Sequence, residues 1–245
     1  MALRIKECNE DKDRYGVPRE KPEITRQSPK EEKIALFKSL FRGRNDAYPV
    51  RWESKTGKSG YSPACAYEWD PIMCEKPRKK CADCANRKLL PLTDQVIHNH
   101  LTGKCTIGIY PLLQDDTCWF LAADFDKNTW KDDVIAFLDT CNELHVPAVL
   151  ERSRSGQGGH VWIFFKEVLP AELARKLGST LMTLTMKKRH GIGLDSYDRF
   201  FPNQDTLPNR GFGNLIALPM QRKPRTQGNA LFINRDFQPH EDQWA

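Results

Sequence analysis

The 245-residue sequence contains no apolar run approaching the about 18 residues that a bilayer-spanning helix needs, which argues against a helical membrane protein. Its first residues, MALRIKECNEDKDRYG, lack the apolar stretch of a secretory signal, so a cytoplasmic protein is expected. Internal repeats and low-complexity tracts are also missing, which argues against a solenoid or a disordered linker. At 39% hydrophobic and 29% charged residues the chain reads as globular, long enough for one large domain or two smaller ones. Disulfides are not expected from the eight cysteines in a reducing compartment. A net charge of +6 permits a nucleic-acid partner without demanding one, and the cations gather in EKPRKKCADCANRK and MQRKPR.

The pattern along the chain predicts a polar N-terminal arm to about residue 30 and then a helix over 28–44. Ser28 is its expected cap, and Ile34, Phe37 and Phe41 lie on its apolar stripe. Residues 46–90 read as irregular, followed by a short helix capped by Thr93. From Cys118 the pattern becomes regular: strand CWFLAAD, helix WKDDVIAFLDTCNELH, strand PAVLERS, turn SGQGG, strand HVWIFF, helix PAELARKLGSTLMTLTMKKR and strand GNLIALPM, with NALFIN as a further short strand. The order β-α-β-β-α-β is that of an α+β, ferredoxin-like or RNA-recognition-type (RRM) core. The expected organisation is an N-terminal arm and helix over 1–45, a Cys-rich zinc module over 46–100 and the core over 101–245, and the abrupt stop at 245 reads as the edge of a fragment of a longer polypeptide. A monomer is expected otherwise.

Right-handed crossovers place the third strand between the first two and antiparallel to both. The end of the first strand, LAADFD, then lies beside the start of the third. Asp124 and Asp126 are two apart and share a strand face, where like charges disfavour each other unless a cation intervenes. His160 opens the third strand. The segment GLDSYDRFFPNQ, leading toward the fourth strand, brings Asp195 and Asp198 to the same sheet edge. Carboxylates from two elements make an all-oxygen site suited to Mg²⁺ or Mn²⁺. Opposite them, Ser153, Ser155 and the backbone amides around Gly158 in SRSGQGGH form a turn able to cradle phosphates. His160 is placed to donate to a phosphate oxygen.

These motifs together resemble the archaeo-eukaryotic primase (AEP) superfamily. The acidic strand end LAADFD, the Ser-to-His hairpin SRSGQGGHVWIFF and the acid of YDRFFPNQ match its three motifs in order. The lead-in FRGRNDAYPVRWESKTGKSGYSPAC and the tail GFGNLIALPMQ look like the primase-polymerase domains of bacterial conflict systems and CRISPR-associated primase-polymerases. The resemblance implies catalytic metals on Asp124, Asp126 and Asp198, with Asp198 preferred to Asp195, and His160 on the incoming nucleotide's phosphates. Arg199 occupies the position where the family often has the acid. The implied activity is primer synthesis and extension on a single-stranded DNA template from nucleoside triphosphates. A metal-dependent nuclease and a non-catalytic, zinc-containing nucleic-acid-binding module remain the alternatives. The last of these needs exposed aromatics on the sheet, for which Trp162 and Phe164 are the candidates.

Cys81 and Cys84 form a C-x-x-C knuckle with Cys65 and Cys74 upstream, a donor set for a tetrahedral structural zinc. His98 or His100 is an alternative ligand. Arg78, Lys79, Lys80 and Arg87 around the knuckle are candidate nucleic-acid contacts, and Tyr61, Tyr67 and Trp69 candidate stacking residues. Arg222 and Lys223, after the last core strand, are candidate nucleotide-binding residues. Arg51 and Lys55 are weaker ones.

Overall fold

The computed structural model describes residues 23–188, 196–209 and 211–245, so Asp195 lies outside the described residues. Helix α1 (Lys30–Leu40) starts after Pro29, where a missing N–H costs nothing, and carries Glu31 and Glu32 in its first turn. Ser28 does not cap it. The Ser28 hydroxyl instead accepts the Thr25 N–H at 3.1 Å and closes the turn before the helix. Strands β1 (Pro49–Glu53) and β2 (Ser59–Pro63) form an antiparallel hairpin inside the stretch expected to be irregular. Its residues are mostly half-buried without alternation, so no two-residue period marks them. Helix α2 (Asp94–Thr102) is capped as expected by the Thr93 hydroxyl, which accepts the Val96 N–H, and ends on Gly103 at φ 86°.

Strand β3 (Gly108–Ile109) precedes the main run of β4 (Thr117–Phe125), α3 (Trp130–Glu143), β5 (Val149–Arg152), β6 (Gly159–Pro170), α4 (Ala171–Lys188) and β7 (Tyr197–Phe201). Strand β8 (Ile216–Ala217), the short helix α5 (Arg222–Arg225) and β9 (Leu231–Ile233) complete the chain. Five strands form one sheet in the order β7-β4-β6-β5-β9, with every neighbouring pair antiparallel. Strands β4 and β5 are therefore parallel, with β6 between them.

One expected strand is corrected. The partner on the outer side of β4 is YDRFF, not GNLIALPM. Only Ile216 and Ala217 of the latter pair, and they pair with β3 in a separate two-stranded sheet. The apolar side chains of that segment have another destination. Ile216, Leu218 and Met220 bury themselves with α1 and α2 over one face of the main sheet.

The sheet is the middle layer of three, because both its faces are apolar. Leu121, Ala123, Phe125, Val161 and Ile163 face α3 and α4. Phe120, Ala122, Trp162 and Phe201 face the other way, into a cluster with Ile34, Phe37 and Phe41, with Ile97 and Leu101, and with Ile107 and Ile109. That second cluster draws on residues on both sides of positions 45 and 100. Trp162 is fully buried, and the edge of its ring meets Phe41, so neither Trp162 nor its face is free to stack on bases. Cys118 and Cys141 are buried, as core residues should be. No helix among the described residues is long and apolar enough to cross a membrane.

Candidate active site

Strand alternation puts Asp124, His160, Glu151 and Arg199 on the second face, where the covering layer ends. The ladder sets them in one row. Glu151 on β5 is opposite His160 on β6, His160 is opposite Asp124 on β4, and Asp124 is opposite Arg199 on β7. His160 Nδ1 lies 3.0 Å from Glu151 Oε2, and its Nε2 lies 3.5 Å from Asp124 Oδ1. Burial works against a charged imidazole, but Glu151 and Asp124 overcome it and hold the His160 pKa up at about 9. Asp124 is pushed up to about 6, first by burial. The His160 charge opposes this, while Asp126 and Asp198 add to it. Two further carboxylates thus bear on Asp124 at a single edge.

Asp198 reaches that edge through an irregularity. Arg199 pairs with Asp124, and Tyr197 pairs with Phe125, so Asp198 is the extra residue of a β-bulge. The bulge explains how Arg199 can occupy the expected place of the acid while Asp198, one residue back, still bears on Asp124. Arg199 Nε donates to Asp198 Oδ2 at 2.6 Å. Asp126, one residue past β4, is exposed and is tied down through its backbone N–H to Ser196 O at 2.7 Å. Phe125 between the two acids points into the other core against Phe137 and Tyr197.

The hairpin between β5 and β6 closes over the Asp126 carboxylate. A side chain at Gly158 would run into Asp126 Oδ1 and come 2.6 Å from Phe125 O, so only glycine allows the approach. Ser153 is buried and exchanges a 3.1 Å hydrogen bond with the exposed Ser155, whose hydroxyl accepts the Gln157 N–H at 3.2 Å. Arg154 on the same turn reaches Gln221 and, at 3.3 Å, Glu53 of β1. Arg51 binds Glu53 as well, at 3.0 Å, and Lys223 is near enough to lower the Glu53 pKa. Lys223 is thus near Glu53, whereas the Arg222 stem packs on Gly103 of the α2 cap.

The four cysteines line one small cavity of about 20 Å³ together with Lys76, Glu68 and Arg87. The Lys88 N–H points at Cys65 Sγ at 3.3 Å, and burial pushes the Cys81 thiol up. Arg78, Lys79 and Lys80 are exposed, with Lys79 paired to Glu75 at 2.7 Å. Arg87 is turned inward, donating to Ala82 O at 3.0 Å and lying over the Phe212 ring. Trp69 is exposed, with the Lys76 ammonium over its ring. His100 is fully buried and held by Ile107 N and Pro219 O, which removes it as a zinc ligand. Among the described residues, no group of three or more His, Cys, Asp or Glu side chains is drawn together closely enough to hold a metal ion. The donor chemistry nevertheless fits the two expected metals. One edge gathers oxygen donors whose mutual repulsion a hard cation would relieve, and one ion-sized cavity is lined by four soft thiols.

Glu151 and Arg154 were not singled out from the sequence. A carboxylate inside the apolar strand PAVLERS, on the face that carries His160 across the ladder, was the available signal.

An acidic strand end, a Ser-to-His hairpin and a third acid on a flanking strand, meeting at one sheet edge, are what the resemblance to archaeo-eukaryotic primases leads one to expect, and sequence comparison places the chain in that superfamily. The family model described as the TOTE conflict system, Archaeo-Eukaryotic Primase domain, matches residues 32–245, and the chain belongs to that family. Among solved structures, the polymerase domain from Mycobacterium tuberculosis ligase D in complex with DNA is similar at TM-score 0.45 and 10% identity, over 80% of this chain and 77% of that one. A comparison with curated proteins returned no match.

Proposed function

We propose that the protein is a template-directed nucleotidyltransferase, a DNA primase-polymerase that makes and extends primers on single-stranded DNA. Family membership supports nucleotidyl transfer in general terms. The finer reading rests on one observation: the ladder sets Asp124 between His160 and Arg199, with Asp126 following it on the strand and Asp198 in the bulge beside Arg199. In this reading the core is the RNA-recognition-type βαββαβ unit, and Asp198 is the third acid. Two divalent ions, Mg²⁺ or Mn²⁺, held by these carboxylates would supply the charge that activates the attacking 3′-hydroxyl and steadies the departing pyrophosphate. His160 presents Nε2 to the same edge as a donor for a phosphate oxygen. The Ser153–Ser155 turn offers hydroxyls and backbone amides to the phosphates, and Lys223, near Glu53, is a further candidate cation for them. Arg199 offsets part of the negative charge at the edge.

The test is de novo synthesis and primer extension on a single-stranded template, with each metal and each nucleotide type. Asp124→Ala and Asp126→Ala are expected to abolish product while retaining DNA binding. Wild-type activity in either variant would sink the assignment. The nuclease alternative makes the opposite forecast, because labelled DNA would shorten without added nucleotides. The Cys65, Cys74, Cys81 and Cys84 cavity is read as a structural Zn²⁺ site in a module that presents Arg78, Lys79 and Lys80 to nucleic acid. Elemental analysis of the purified protein decides this, and absence of zinc would remove the module's metal.

A further inference from the structure

We infer that Glu151 is the positioning residue for His160. It fixes which imidazole nitrogen faces the reaction edge. The inference deepens the nucleotidyltransferase reading and takes its reaction from it.

Glu151 is 1% exposed, an unusual place for a carboxylate unless its oxygens are engaged. Its Oε2 accepts from Trp162 Nε1 at 2.9 Å and contacts His160 Nδ1 at 3.0 Å. The indole nitrogen only donates. A carboxylate oxygen only accepts, so His160 must place its proton on Nδ1 toward Glu151. The ring then cannot turn over without losing its bond to that carboxylate. Its Nε2 is directed to Asp124, 3.5 Å away, and to the open edge. The arrangement is anchored on the backbone, since Glu151 and His160 are ladder partners on β5 and β6. Trp162, two residues along the same face, is fully buried and locks the carboxylate from the side. A histidine held this way presents Nε2 to the reaction edge in a preset orientation, with no reorganisation when the nucleotide arrives.

The test compares Glu151→Gln with the wild-type full chain. Glutamine has nearly the same shape and keeps an oxygen for the Trp162 N–H, so it removes charge rather than volume. Nitrogen-15 spectra of the imidazoles, assigned with His160→Ala, are expected to show a hydrogen-bonded Nδ1 proton on His160 in the wild type. That signal should be shifted or lost in Glu151→Gln. In steady-state extension the same change should raise the nucleoside triphosphate KM by about ten-fold or more with a smaller effect on kcat. It should have no further effect in a His160→Ala background, as for residues acting as one unit. Unchanged His160 spectra in Glu151→Gln overturn the inference, and so does a KM effect that persists without His160. A wild-type protein that makes no product overturns the nucleotidyltransferase reading instead, and the spectra still decide the role of Glu151.

Discussion

At the scale of single residues, the candidate site depends on a missing side chain as much as on the charged ones. Asp126 follows the end of β4, is exposed and is tied down through its backbone N–H, which donates to Ser196 O at 2.7 Å. What sets its carboxylate is the hairpin backbone at Gly158, which comes so close that any β-carbon there would displace either the carboxylate or the Phe125 carbonyl. The carbonyl belongs to the sheet and yields less readily than a side chain. Gly158→Ala is therefore expected to move Asp126 rather than unfold the protein. A displacement on the order of 1 Å at a catalytic carboxylate costs about 100-fold in rate. Primer extension measured beside a thermal melt checks this. A large fall in rate with little change in melting is the expected result, and near-wild-type synthesis would show the contact to be soft.

At the scale of elements, the site depends on one strand having one residue too many. Without Asp198, β7 would run Ser196, Tyr197, Arg199, Phe200, Phe201 against β4. Every remaining pair, from Ala122 with Phe201 to Phe125 with Tyr197, would keep its partner in an unbroken ladder. Deleting Asp198 is thus expected to preserve the sheet while removing the third acid. Circular dichroism should show a melt close to wild type, and extension assays should show no product. A deletion variant that still synthesises DNA would exclude Asp198 as a metal ligand. This strand also marks where sequence reading stopped. Strands β4, β5 and β6 were legible as short continuous apolar runs and helices α3 and α4 by their apolar period, and right-handed crossovers set the order of the three strands. The segment YDRFF was legible as a motif but not as a strand. Its central residues, Asp198 and Arg199, are exposed and charged, and the bulge breaks its alternation. GNLIALPM looked the better strand because Ile216, Leu218 and Met220 are apolar, yet they serve a different layer. The β1–β2 hairpin left no periodic trace. Asp124, Asp126 and His160 were legible because they terminate or open regular strands. Glu151 was overlooked because a buried carboxylate declares itself only through its partners.

At the scale of the whole molecule, the layer over the candidate-site face is pinned by a histidine away from that site. His100 on α2 accepts the Ile107 N–H on Nδ1 at 3.2 Å, so its proton sits on Nε2 and donates to Pro219 O at 2.8 Å. One neutral ring thereby joins α2, the approach to β3 and the segment after β8, all of which cover the face bearing Trp162 and, at its edge, Asp124. Burial drives its pKa down to about 4 from an ordinary 6.5. The Pro219 bond opposes the shift, and the Arg225 charge, whose guanidinium binds Leu101 O at 3.0 Å, adds to it. A depressed folded pKa means that the unfolded chain takes up the proton first. The stabilisation is therefore complete above pH 6.5 and is lost progressively as pH falls toward 4. The difference, 6.5 − 4, at about 1.4 kcal/mol per unit sets an upper scale on the order of 3 kcal/mol. Other groups titrate in this range, so the informative quantity is the stability gap between wild type and His100→Gln. Glutamine can offer one acceptor and one donor but cannot take up a proton. Urea unfolding at pH 7.5, 6 and 5 should show wild type ahead at the highest pH and its lead shrinking with each step down. A gap that stays constant across the series would mean that His100 is not the group through which acid loosens the cover from the candidate-site face.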